Sequence, residues 1–256
     1  MKIVEIIRQS STIPCFSNSL REQFVRRIKG NVDLTNVKHK VKKILRVGNS
    51  AVLVPLLNID SMPYMLFTQR SLLLTGHRGQ ICFPGGRVDH GETAEMAAIR
   101  ECYEEIGLTA ESVEIWGQLR PLYTKNLENV VTPVVGFVHG VDKSTLNVHS
   151  DEVRSVFAVP VEELCSSPKY TRFRGSGETM YDLPVFNCRR FQKIFFEHPS
   201  PTEYRIWGLT AGIVHLALLN LFPLNYRSSI QLLHPKDCEL LNMGFKYHFE
   251  ASLKDD

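Results

Sequence analysis

Glu101, Glu104 and Glu105 stand at spacings of three, four and one in the stretch GRVDHGETAEMAAIRECYEEIGL, residues 86–108. On a helix these spacings place the three carboxylates on one face, within an arc of roughly 100°. Ile99, Cys102, Tyr103 and Ile106 fall on the opposite arc, which is therefore expected to be the packed side. Acidic side chains crowded in this way repel one another and weaken a bare helix. A hard divalent cation with oxygen ligands, Mg2+ or Mn2+, is the natural group to offset that repulsion. The alternative is a solvated acidic helix face, which is common. Against it stand Pro84-Gly85-Gly86 upstream, where the chain can approach a ligand closely, and Gly107 at the far end.

The wider spacing carries a resemblance. Gly86, then Glu92 after five residues, then the run Arg100-Glu101-Cys102-Tyr103-Glu104-Glu105-Ile106-Gly107-Leu108 after seven more, resembles the Nudix hydrolase box. Cys102 stands where a larger aliphatic residue is more usual, and a buried thiol behaves as a small hydrophobe. The resemblance implies an α/β fold, an α/β/α sandwich around a mixed β-sheet, and hydrolysis of a nucleoside diphosphate linked to another moiety. It implies that the carbonyl of Gly85 joins Glu101, Glu104 and Glu105 around the metal. It also implies that Arg100 braces Glu92 and the ligand carboxylates; direct contact of Arg100 with substrate phosphate is the alternative.

A pyrophosphate carries negative charge beside the bond to be cut and repels hydroxide. Divalent ions neutralise that charge and acidify water. A carboxylate must then accept the water proton. Glu104, Glu105 and Glu152 are the candidates, and a solvated loop acid is an equal reading of Glu152.

The loop leading into the box narrows the substrate. LFTQRSLLLTGHRGQICFPGG, residues 66–86, resembles the element that marks coenzyme A diphosphatases within this superfamily. Arg70, Ser71, His77, Gly79, Gln80 and Phe83 carry the match, and Thr75 stands where many members have arginine, leaving Arg78 or Arg70 to supply the charge. Arg70, Ser71, His77, Arg78 and Gln80 are thus expected to bind substrate. A cluster of Arg70, His77 and Arg78 suits a ligand with more than two phosphoryl charges, as coenzyme A or an acyl-CoA has. For His77 alone, a loop histidine capping a carbonyl is the competing reading. Further segments, among them WGQLRPLY, SDEVRSVFAVPVEEL and RIWGLTA, look like the mitochondrial branch, so the resemblance spans roughly residues 50–222. In the last of these, Trp207 and Gly208 are expected to pack the final helix onto the sheet. ADP-ribose, NADH or another nucleotide is the alternative substrate, and a non-catalytic binding module is a third reading.

The elements that must position these groups follow from pattern. A helix is expected over residues 19–29, a hairpin at a sheet edge from 51–57 and 64–69, and a short strand at 81–83. The box helix should start at Thr93 as N-cap. Strands are expected at 113–119, 130–138 and 153–159, a helical turn at 161–164, a second hairpin from 171–173 and 181–186, and a final helix over 204–222. The domain itself is expected to run over 46–225, after an N-terminal extension of 1–45 and before a tail of 226–256. Residues 1–20 are expected to be poorly ordered or part of a targeting segment, and 31–45 reads as a linker.

Composition excludes other classes. A net charge of +3 is too weak to point to nucleic acid, and 43% hydrophobic with 22% charged residues is ordinary for a globular chain. No run is long enough for stable membrane insertion; the apolar stretch 211–224 is short and interrupted by His215 and Asn220, as in a buried or amphipathic helix. The six cysteines show no CxxC or zinc spacing and suit a reducing compartment. The first thirty residues are basic and Ser-containing, resembling a mitochondrial presequence, although Glu5 and Glu22 depart from the acid-poor rule and an ordinary amphipathic helix is an equal reading. The expected location is the mitochondrial matrix, with the cytoplasm as alternative.

Overall fold

The computed structural model describes residues 13–30, 48–124, 129–141, 144–166, 169–174, 180–196, 199, 201–226 and 228. The linker at 31–45 and most of the tail lie outside them. Helix α1 (Asn18–Gly30) is followed by strands β1 (Gly48–Ile59), β2 (Met62–Arg70), β3 (Ile81–Cys82) and β4 (Gly85–Arg87). Helix α2 (Ala94–Ile106) leads to β5 (Val113–Gln118), β6 (Leu122–Tyr123), β7 (Asn129–Val138) and β8 (Val153–Pro160). Then come α3 (Val161–Ser166), β9 (Lys169–Arg174), β10 (Met180–Cys188), β11 (Gln192–Phe196), β12 (Tyr204–Ile206) and α4 (Gly208–Leu221).

Among the described residues, nine strands form a mixed sheet with the path β11-β8-β2-β1-β7-β5, and β12-β10-β9 form a smaller antiparallel sheet. The β1–β2 hairpin forms as expected but lies in the middle of the sheet. β1 pairs in parallel with β7 on its other side. Its run Leu53, Val54, Leu56 and Leu57 is buried on both faces, the mark of a central strand. The larger difference is at 204–222. Tyr204 and Ile206 are buried and Arg205 is exposed, a period of two, and the segment pairs with β10 as a strand before α4 begins. Trp207 is half exposed at the N-cap of α4 rather than packed on the sheet, because the strand ends there and turns the ring outward.

The two sheet faces carry different cores. On one face α2 packs Ala98, Cys102 and Ile106 against Leu53, Leu66, Val134 and Val156. On the other, α4 packs with Phe67, Phe157, Trp116, α1 and β12. Residues 13–20 belong to this second core: Phe16 lies edge-on to Trp116, with ring centroids 5.8 Å apart, and Leu20 is buried. Two buried aromatic and aliphatic side chains, each worth about 1.5–3 kcal/mol when removed from water, hold a segment that composition alone suggested was loose. Arg27 donates to the last carbonyls of α4, Asn220 O at 2.8 Å and Leu221 O at 3.3 Å. Within α4, Asn220 donates to Leu216 O, and His215 Nδ1 pairs with Tyr226 OH at 2.9 Å, so the polar residues of this buried helix are satisfied. No helix among the described residues is long and apolar enough to cross a membrane.

Candidate active site

The acidic helix α2 is held at both ends by local chemistry. Thr93 Oγ1 accepts the N–H of Met96 at 3.2 Å, and Gly107 adopts the left-handed conformation while its N–H bonds Tyr103 O. The chain then returns over the helix end. His149 N–H donates to Glu105 O, and Asn147 N–H to Ile106 O, satisfying C-terminal carbonyls. This return also brings the Glu152 turn to the site, where Glu152 O accepts the N–H of Ser71 at 2.8 Å.

The three helix carboxylates are not equivalent. The buried side of α2 comprises Ala97, Ala98, Cys102, Glu105 and Ile106, while Tyr103 is exposed. Glu105 therefore lies on the packed side, 4% exposed, and Glu104 is mostly in solvent. Glu101 lies between, its side chain 18% exposed. Burial pushes the Glu105 carboxyl up to about 8. The Arg70 guanidinium pulls it back, Glu152 and Glu101 push it further, and the Gly85 N–H favours the charged form. Glu105 Oε2 has no hydrogen-bond partner, and neither has the buried Arg70 Nε. Burial also raises the Glu101 carboxyl, against the pull of Arg100.

Beside this inner cluster, Arg100 uses all five of its N–H donors. Nε and one terminal nitrogen take Glu92 bidentately at 2.8 and 3.0 Å; that terminal nitrogen also reaches Arg87 O at 3.0 Å. The other donates to Glu101 at 3.0 Å and Glu104 at 3.2 Å. Glu92 also accepts the N–H of Asp89, and the Arg100 hydrogen bonds, with Asp89, hold its carboxyl down at about 2. With every donor occupied, the geometry favours bracing over direct phosphate contact for Arg100. The Arg87 carbonyl and Asp89 N–H in this brace are backbone groups, with no side-chain signature by which sequence reasoning could find them.

Lysine at position 100 would keep the charge but offer three donors on a flexible stem. Arg100→Lys is therefore expected to lower kcat ~10- to 100-fold, the usual cost of losing an orienting partner. Steady-state kinetics at saturating divalent cation check this, and near-parent turnover would show that the brace is dispensable.

The glycine turn completes the site. A Cβ on Gly86 would fall 2.4 Å from Glu101 Cδ and Oε1, so the carboxylate rests directly on the bare backbone. β4, expected only as a turn, pairs with β1 and fixes this approach. The loop from Arg70 to Gln80, expected to bind substrate, is closed by Arg70 N–H to Gln80 O and Gly79 N–H to Arg70 O. Within it His77 has φ of +55° and its Nδ1 lies 3.0 Å from Gln80 Oε1. Ser71 is buried, its hydroxyl accepting the N–H of Leu73, which makes it a brace of the loop. Arg78 is exposed on the loop. Arg70, Gly85, Glu101, Glu105 and Glu152 thus converge, while His77, Arg78 and Gln80 form the outer rim.

The donor set fits a hard divalent cation. A buried carboxylate with an orphaned oxygen, next to a second whose charge is disfavoured, is the arrangement a cation relieves. No group of three His, Cys, Asp or Glu side chains is ready-made to hold an ion among the described residues, since Arg100 engages Glu101 and Glu104. Mg2+ commonly binds through one or two carboxylates plus substrate phosphates, so a full protein cage is not required.

An acid-lined helix beside a close-approach glycine turn is the arrangement that the Nudix resemblance leads one to expect. The NUDIX domain family matches residues 48–182. The chain is 39% identical over 225 residues to "Nudix hydrolase 3" of Caenorhabditis elegans, covering 84% of this chain and 90% of that protein. It is 39% identical over 186 residues to human "Mitochondrial coenzyme A diphosphatase NUDT8", covering 71% and 73% of the two chains. An "Uncharacterized Nudix hydrolase NudL" of Citrobacter koseri is 36% identical over 64% of this chain and 78% of its own. The protein belongs to the Nudix family and is a Nudix hydrolase.

Proposed function

We propose that this Nudix hydrolase cleaves the pyrophosphate of coenzyme A or its thioesters, giving 3′,5′-ADP and (acyl-)4′-phosphopantetheine, with Mg2+ or Mn2+. The observation that carries this reading is the loop from Arg70 to Phe83, whose residues resemble the coenzyme A diphosphatase element and which leads directly into the acidic cluster. The similarity to a mitochondrial coenzyme A diphosphatase supports it and also supports a mitochondrial location.

Glu101, Glu105 and the Gly85 carbonyl would hold the cation, with Glu104 at the solvent edge. Once bound, the cation neutralises pyrophosphate charge and acidifies water. Arg100 and Glu92 keep Glu101 and Glu104 in place. Arg70, close enough to Glu105 to lower its carboxyl, is the guanidinium placed to meet a phosphoryl oxygen through its terminal nitrogens. Glu104, Glu105 and Glu152 are the candidate proton acceptors, and Glu152, near enough to Glu105 to raise its carboxyl, is the one outside the cation's ligand set. His77 and Arg78 add charge at the rim, and Ser71 and Gln80 keep the loop in shape.

A substrate panel tests the reading. With either metal, kcat/KM for coenzyme A or an acyl-CoA is expected to exceed that for ADP-ribose and NADH at least tenfold. A higher value for ADP-ribose or NADH would replace coenzyme A with that nucleotide.

A further inference from the structure

Across the sheet from Glu105, on the α4 side, the ends of β2 and β8 border a cavity of about 200 Å3 lined by Gln69, Arg154, Ser155, Phe196, Tyr204 and two prolines. That is below the roughly 300–1,000 Å3 of pockets that enclose a whole drug-sized ligand, so it suits one end of a longer molecule.

Its polar wall is built in advance. Ser155 Oγ donates to Gln69 Oε1 at 3.2 Å and shares a second hydrogen bond with Tyr204 OH at 3.2 Å. Gln69 Nε2 donates to Gly79 O at 3.2 Å, which ties the wall to the substrate loop. The Tyr204 ring is fixed by stacking on Phe157, with centroids 3.8 Å apart and planes 8° apart. Arg154 is the one charged side chain among the described lining residues. Lys193 Nζ stands 5.8 Å from the Phe196 ring centroid. No carboxylate of the described residues forms an ion pair with Arg154. A guanidinium beside aromatic rings matches a phosphoryl group attached to a nucleoside, since the fork takes the anion and the ring takes the base.

The cavity and the acidic site share strands. Gln69 and Arg70 are consecutive on β2 and face opposite sides, and Glu152 and Arg154 flank the start of β8. A nucleotide crossing that end of the sheet can touch both. We propose that this cavity binds the phosphorylated nucleoside end of the substrate, with the base against Phe196 and the ribose 3′-phosphate at Arg154, while the pyrophosphate lies by Glu105. The assignment rests on the coenzyme A reading above and adds Arg154 as a specificity-determining residue.

Calorimetric titration of the full chain with 3′,5′-ADP and with 5′-AMP tests it. The parent is expected to bind 3′,5′-ADP at least tenfold more tightly than 5′-AMP. Arg154→Gln should abolish that preference and leave 5′-AMP within twofold, and Phe196→Leu should weaken both ligands alike. In turnover, Arg154→Gln should raise KM for coenzyme A at least tenfold with kcat within twofold, and leave KM for 3′-dephospho-coenzyme A unchanged. No binding of either nucleotide, no preference in the parent, or a preference that survives Arg154→Gln would overturn the assignment; so would a Phe196→Leu variant that binds both as the parent does. A parent that cleaves coenzyme A without the preference loses only the cavity. A parent that keeps the preference yet leaves coenzyme A intact loses only the functional reading.

Discussion

Replacing Glu105 by glutamine is expected to raise the melting temperature of the metal-free protein at pH 8 while lowering turnover by about three orders of magnitude. The second effect is the loss of roughly 4 kcal/mol of transition-state stabilisation, at about 1.4 kcal/mol per tenfold, if the cation is no longer held or the proton no longer accepted. The first follows from burial. The carboxyl ionises near its ordinary 4.5 in an unfolded chain and about 8 in the folded one. Its linked stability is therefore full below pH 4.5 and declines as pH rises towards 8, by an amount on the order of 4 kcal/mol. Glutamine is neutral throughout and escapes that decline. A divalent cation should restore the parent at pH 8, by about 2.7 kcal/mol at a hundredfold excess over Kd, and do little for the variant. Thermal melts at pH 5, 6.5 and 8, with and without Mg2+, measure both effects. A variant that melts below the parent at pH 8 and gains equally from Mg2+ would contradict the account.

The second large effect separates two adjacent glycines. At Gly86, the three atoms nearest a Cβ would be the carboxylate end of Glu101, at 2.4–2.5 Å, and a flexible side chain can swing away. Gly86→Ala is therefore expected to keep its fold, with a melting temperature within a few degrees of the parent, and to lose ~100-fold or more in kcat as Glu101 leaves its place. At Gly85, φ is +152° and a Cβ would fall 2.3 Å from Ala51 O and 2.5 Å from Val52 Cα, both backbone atoms of the central strand. Gly85→Ala should instead lose stability, because β4 must separate from β1. Parallel kinetics and melts on the two variants decide. A Gly86→Ala enzyme with near-parent turnover would show that the position of Glu101 is not critical.

What the amino-acid sequence disclosed was what is local. Thr93 and Gly107 cap α2 within a few residues of the groups they serve, and Glu92 sits eight residues from Arg100 on the turn before the same helix. The mixed sheet came with the Nudix resemblance and with the mixture of short apolar runs and helices. The central place of β1 did not, because its parallel partner β7 lies some eighty residues further along. Helical spacing treated Glu104 and Glu105 as equals. It is the sheet under α2 that buries one and leaves the other in water, and the same rotation exposes Tyr103. Tyr204–Ile206 was hidden at the head of a long apolar stretch, its alternation over three residues too short to mark a strand without β10 beside it. Arg154 was silent for a related reason. One arginine in a strand means little until Tyr204 and Phe196, forty to fifty residues later, close a cavity around it.

The central claim is that the loop after Arg70 directs this Nudix hydrolase to the pyrophosphate of coenzyme A. Mass spectrometry of the products formed from coenzyme A with Mg2+ in 18O-labelled water addresses it most directly. The account predicts 3′,5′-ADP and 4′-phosphopantetheine as the two products, with one 18O on one of their new phosphate groups. Intact coenzyme A, or label appearing with loss of the 3′-phosphate instead, would contradict it.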